Sequence, residues 1–356
     1  MITANSLFNI EAITNILEQK CTAGLGLIGG KMGLALFYFT LPPEYHQRGY
    51  ELLDHISDHI MEVDNASFSN GLAGIGWGIE WTVQKEFLSA NTDDILQDLD
   101  DELYKKLVYA YATHISLSDG SLSQGMYFTS RLKSRNFKTH RFNQVVHQES
   151  IFLIVEEIAE ALSTESGKLE ALLEPGKAAG YNTLIDIAQS LLFFSNLSSV
   201  NLKYVLINET IYYIIGFIEK FFETAFKYLS DPRAYAACVY LAYAQYYTGD
   251  RYNFDIWKKR ALLHFDQIIG NVNFSITDLM EDSGYLCAAY TFSLYGWAVA
   301  SERKDAAALL DTLVQDAADN ESIHADLLLQ SVIYQMLQCV DPLNCKAFSS
   351  DILLMR

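Results

Sequence analysis

The feature that most limits how this chain can fold is a short glycine-rich segment that recurs along it. Residues 24–37, 69–81 and 118–128 each place small residues three apart and then enter an apolar run. Weaker copies follow near 180–194, 234–247, 284–297 and 325–337. The spacing, roughly 40 to 60 residues, suits two helices and two loops per unit. Between the copies, residues 50–63, 95–115, 150–162, 204–226 and 255–269 carry apolar side chains at helical spacing, as with Leu52, Leu53, Ile56, Ile60 and Val63. No alternating apolar run is long enough to suggest a sheet. The expected fold class is all-α, an α/α-toroid: a closed ring of about seven helix hairpins, with small-residue helices inside and amphipathic ones outside. Residues 5–19 have no inner partner before them and would close the ring against 322–338. Each helical glycine costs about 1 kcal/mol, and close approach of crowded inner helix starts is the reason to keep it. The alternative is an open solenoid, which usually keeps a more regular period and polar capping repeats.

Half of the 356 residues are apolar and only five are proline. That is ample core for one domain spanning 1–356 without a linker. The formal charge of −19 argues against a nucleic-acid partner, which needs Lys and Arg against phosphate, and against an anionic membrane surface. The first twenty residues carry Glu11 and Glu18 and do not read as a signal peptide. The most apolar stretch, 204–226, holds Glu209, Glu219 and Lys220; a buried amphipathic helix is expected there, not a membrane span. Five cysteines form no disulfide framework. A cytoplasmic location is the expectation.

At the motifs around Asn70–Ile75 and Asp119–Gly125 the chain resembles the lanthionine synthetase C-like family, the lanthionine cyclases and their relatives. The resemblance covers nearly the whole chain and is strongest in its first third. It implies the α/α-toroid, a role in maturing a ribosomally made peptide, and partners that are a peptide substrate or a peptide-modifying enzyme. Family cyclases hold zinc through two cysteines and a histidine. The metal activates a peptide cysteine as thiolate, the nucleophile, for addition to a dehydrated Ser or Thr. The matching cysteines here are Cys238 and Cys287, about one repeat apart, but the histidine position is Ala288, and Gly180-Tyr181-Asn182 also lacks one. Catalytic zinc usually takes three protein ligands and one open position. The expectation is therefore a vestigial site, no cofactor, and a non-cyclising binding protein. In cyclase relatives an acidic residue at the cavity mouth assists proton transfer, and Asp119 stands at the corresponding place. Its other reading is a helix cap.

Other residues invite both a functional and a bland reading. Trp77, Tyr127 and Trp297, with Trp81 and Tyr290, fall on inner helices, where they fill core or face a cavity as binding surfaces. Arg131, Lys133, Arg135, Lys138 and Arg141 form a basic run without an acidic residue, flanked by His140 and His147. Such a run is either a solvated loop or a rim that attracts an acidic peptide or partner. His55 and His59 stand four apart, as two metal ligands would, but among acidic neighbours of an outer helix a solvated face is expected. A second functional reading, a carbohydrate-active hydrolase or lyase, needs two carboxylates about 5–10 Å apart. Glu80, Asp119, Glu281 and Asp282 are the candidates. A plain scaffold with a filled centre is the third.

Overall fold

Which helices are inner and which outer follows from how much of each surface is apolar. α2 (Lys31–Thr40) buries every residue from Met32 to Phe39, and α4 (Leu72–Gln84) buries Leu72, Ala73, Ile75, Trp77 and Trp81 on all its sides. A helix apolar all round has to lie inside. α3 (His46–His59) buries only Gly49, Leu53 and Ile56, one narrow stripe, and lies outside. The computed structural model describes residues 4–21, 24–109, 114–136, 141–164, 180–200, 205–271 and 285–318, with isolated positions (169, 172, 173, 202, 279, 323, 325–327, 329 and 333) besides. Among them every regular element is helical, as expected, and no helix is long and apolar enough to cross a membrane.

The chain divides into two compact units, one formed by Met1–Val155 with Leu328–Arg356 and the other by Glu156–Leu327. The first holds α1 (Ala4–Lys20), α2, α3, α4, the short α5 (Thr92–Ile95), α6 (Gln97–Tyr109) and α7 (Ser121–Leu132), and α8 (Arg141–Thr164) leads out of it. α2 packs on α3 and α4, and α4 packs on α6 and α7. α1 is tied to this stack where Glu18 accepts from the Tyr38 hydroxyl (2.5 Å) and from Arg48 (3.2 Å). Ile333, in the expected last inner helix, lies against Gly33 of α2. Of residues 322–338 only 323, 325–327, 329 and 333 are described.

The three strong copies of the motif share one backbone arrangement. α2, α4 and α7 start after Gly30, Gly71 and Gly120, each extended and none offering a side-chain cap. Instead, first-turn N–H groups donate to carbonyls seven residues back: Lys31 to Gly24 (2.9 Å), Leu72 to Asn65 (3.0 Å) and Ser121 to His114 (3.1 Å). Each loop thus satisfies donors that a helix start leaves orphaned. Equivalent residues also link the copies in series. Ile28 N donates to Ser69 O (2.9 Å), and Ser69 N donates to Ser118 O (3.1 Å).

The second unit repeats the plan with different chemistry. It contains α9 (Tyr181–Leu197), α10 (Val205–Thr224), α11 (Pro232–Arg251), α12 (Asp255–Ile269), α13 (Tyr285–Ala300) and α14 (Lys304–Ala318). α9 packs on α10 and α11, α11 on α12 and α13, and α13 on α14. α10 is the amphipathic helix expected over 204–226: Ile207, Ile211, Ile214, Ile215 and Ile218 are buried while Tyr212 and Tyr213 are exposed. α11 starts on an Asp231 side-chain cap with Pro232 in its first turn, so no glycine clamp is needed.

Candidate functional site

Arg131 does not belong to an exposed basic loop, and that expectation is corrected. It lies in the last turn of α7, one turn after Tyr127 and on the same buried face, with its side chain fully withdrawn from solvent. All five guanidinium N–H groups are used. Nη1 donates to Glu80 Oε2 (2.7 Å) and Thr92 Oγ1 (2.8 Å). Nη2 donates to Asp93 Oδ1 (3.0 Å) and Asp100 Oδ2 (2.9 Å), and Nε donates to Asp100 Oδ1 (3.1 Å). The Tyr127 hydroxyl donates to Asp100 Oδ1 (2.5 Å), and His147 Nε2 lies 3.1 Å from Asp100 Oδ2. Asn136 and Gln84 extend the network, donating to Asp93 (2.8 Å) and Glu80 (2.8 Å). Burial alone would raise the Asp100 carboxyl, but the adjacent His147 ring and the Arg131 guanidinium outweigh it and hold the group below its ordinary value. Burial and the Asp100 charge push the Tyr127 hydroxyl well up. The cluster joins α4, α5, α6, α7 and α8 as a buried ionic staple. With every guanidinium donor committed, it offers none to a ligand.

The remaining cations divide. Lys133 is half-buried, Arg135 and Arg141 are exposed, and Lys138 and His140 lie outside the described residues. The aromatic candidates are core. Trp77 packs edge-on to Phe68 (5.7 Å), Tyr127 is inaccessible, and Trp297 lies 4.6 Å from Phe265 with its indole N–H donating to Val239 O (3.4 Å). Asp119 does not cap α7. Gly120 holds the cap position, and the Asp119 carboxylate instead lies 2.8 Å from His114 Nε2, more than half exposed. Of the paired-carboxylate candidates, Glu80 is bound by Arg131 and buried, and Glu281 and Asp282 lie outside the described residues. His55 and His59 are half-buried rather than solvated. Their rings stack at 4.3 Å, and Lys31 Nζ lies 2.9 Å from His55 Nε2, a cation where a metal-binding imidazole would want an acceptor for its other N–H.

Cys238 on α11 and Cys287 on α13 lie on helices that pack together, and both are fully buried. Burial raises the Cys287 thiol to about 12, against a small lowering by Thr291, and raises Cys238 further. Ala288, at the family's histidine position, is buried as well. No group of three or more His, Cys, Asp or Glu able to hold a metal occurs among the described residues. Among the described residues the two thiols therefore fall short of the three protein ligands that a catalytic zinc usually takes.

One buried histidine escaped the sequence reading because nothing near it suggests chemistry. His264 on α12 stacks on Phe222 at 4.1 Å, and neither ring nitrogen has a hydrogen-bond partner. Burial, with the nearby Arg260 charge, lowers it to about 4. The folded state therefore resists a proton that the unfolded chain accepts near pH 6.5. The stability present above that pH falls by about 2 kcal/mol between pH 7.5 and 5. His264→Phe is expected to remove that slope from urea midpoints taken across this range; an unchanged slope would refute the assignment. Against known proteins, no family model and no curated protein matches the chain.

Proposed function

We propose that the chain is a lanthionine synthetase C-like protein that does not cyclise, and that it acts as a peptide- or partner-binding component in the maturation of a ribosomally made peptide. The observation that carries the non-cyclising part is the burial of Cys238 and Cys287 beside Ala288. Burial raises both thiols and keeps them protonated in the metal-free protein, and Ala288 supplies no donor where the resemblance puts the histidine ligand. Fully buried, they serve as small apolar side chains of α11 and α13. The family part rests on the glycine motifs, whose three strong copies share a helix-start geometry and are hydrogen-bonded in series. A closed α/α-toroid of about seven hairpins belongs to the same proposal, supported by Ile333 lying against Gly33.

Metal analysis of protein produced with zinc supplied tests the reading. Well under one equivalent of zinc is expected, unchanged in Cys238→Ala and Cys287→Ala. Near-stoichiometric zinc that either substitution abolishes would overturn it.

A further inference from the structure

In the first unit a groove of about 530 Å3 runs between α3 and α6, over α4. Its floor is apolar, with Leu53, Ile79 and Leu99 contributed by the three helices. At its edges Met61 is 84% exposed and Ile95 51% exposed, so apolar surface continues out of the cleft. Large apolar side chains standing in water beside a cleft are a common mark of an interaction site. The polar part of the lining is one-sided. Among the described residues, Asp54, Asp64, Asp98 and Glu102 line it with a single cation, Lys106. That ammonium is already held by Glu102 Oε1 (3.3 Å) and the Asp64 carbonyl (2.8 Å). Four carboxylates face one committed ammonium over an apolar floor.

We propose that this groove docks a cationic amphipathic peptide segment. Its apolar side chains seat on Leu53, Ile79 and Leu99, and its Lys or Arg side chains meet Asp54, Asp64 and Asp98. This is the helix-in-groove mode, in which residues spaced i, i+3, i+4 and i+7 anchor the segment. The proposal rests on reading the chain as a peptide- or partner-binding protein and specifies the chemistry of what is bound. An anionic lipid surface fits poorly, because the acidic lining would repel it. Opposite charge around an apolar seat speeds encounter and excludes anionic competitors.

The test uses the full chain and a labelled synthetic peptide with Leu at i, i+3, i+4 and i+7 and Lys elsewhere, followed by fluorescence anisotropy. A scrambled peptide of the same composition and a Leu/Glu version serve as comparisons. Asp54→Lys with Asp98→Lys is expected to weaken binding of the patterned peptide about tenfold or more. Glu223→Lys with Asp316→Lys changes net charge equally at exposed sites on α10 and α14, and is expected to leave binding within twofold. Equal binding of the scrambled peptide, or equal loss in the two double variants, would mean diffuse attraction to an acidic protein and would overturn the proposal. So would absence of peptide binding, with or without association with phosphatidylserine vesicles. Those results would leave the zinc measurement untouched, whereas stoichiometric zinc with intact groove binding would retire only the non-cyclising reading.

Discussion

Replacing Arg131 with Met is expected to destabilise the protein by on the order of 3–5 kcal/mol, a large share of an ordinary domain's stability. Met preserves most of the apolar stem, so little of that loss comes from packing. What remains is Glu80, Asp93 and Asp100, each at most 6% exposed, without the cation that held them with four of its five N–H groups. Arg131→Lys should recover only part of the loss, because an ammonium has three donors on one centre and cannot span carboxylates arranged around a planar fork. The pH response separates this cause from simple cavity formation. Without the guanidinium, the burial that pushes the Asp100 carboxyl upward loses its main opponent, and proton uptake there relieves the cluster. The urea midpoint of Arg131→Met, which keeps His264, should then fall less between pH 7 and 5 than that of the unmodified chain, because proton uptake by the cluster offsets part of the His264 loss. A midpoint within 1 kcal/mol of the unmodified protein, or one that falls in parallel on acidification, would show that the cluster is not the staple described.

The fate of Arg131 shows where the sequence misleads. In composition it opens a basic run in an acidic chain, and basic runs are usually solvated. Its acceptors Glu80, Asp93 and Asp100 lie 31 to 51 residues upstream, on α4, α5 and α6, and no local pattern pairs them with Arg131. The available signal was positional: Arg131 follows Tyr127 by four and Phe128 by three, which puts it on the buried face of α7. Lys133 and Arg135 are past that face and remain accessible. The thiols were more readable. Cys238 and Cys287 are flanked by Ala, Val, Leu and Tyr, and such neighbours imply a buried helix whatever the chemistry. The groove between α3 and α6 had no signature at all, since its floor and rim come from three helices whose packing no local pattern specifies.

Helical class was legible throughout, because apolar period survives when individual contacts do not. The motif faded along the chain for a physical reason. In the first three copies the N-cap residue lies against the backbone of its own preceding loop, which only glycine permits. At α9, a Cβ added at Gly180 would meet only the Thr183 side chain, at 3.8 Å, and α11 uses Asp231 and Pro232 instead. Sequence similarity decays where the clamp is replaced by an ordinary cap, although the helices themselves persist. The register was not legible either. Residues 24–37 contain several glycines, and only the backbone bonds show that Gly30 matches Gly71 and Gly120.

The same clamp yields the second large effect. Gly71 has φ −125° and ψ −170°, which any residue can adopt, so its requirement is steric. A Cβ there would collide with the Asn65 side-chain oxygen and stand 2.5 Å from both Asn65 O and Ser67 N. Those atoms cannot move freely. Asn65 O accepts from Leu72 N (3.0 Å), Ser67 N donates to Asn65 Oδ1 (3.1 Å), and Phe68 N and Ser69 N both donate to Ser118 O in the next copy (2.9 and 3.1 Å). Making room therefore breaks the loop, the helix start and the link between copies together. Gly71→Ala is expected to cost about 3 kcal/mol, and Gly120→Ala should behave alike, since its Cβ would press on Ser116 N at 2.6 Å. Gly216 provides the contrast. It lies in mid-helix on the exposed side of α10 with nothing within 4 Å of an added Cβ. Gly216→Ala should therefore stabilise by about 0.5–1 kcal/mol through helix propensity and chain entropy. One methyl group is thus expected to act with opposite sign at two glycines, as read from urea midpoints. If Gly71→Ala loses less than 1 kcal/mol, the glycines of the motif are not clamps, and the recurrence that marks the fold requires another cause.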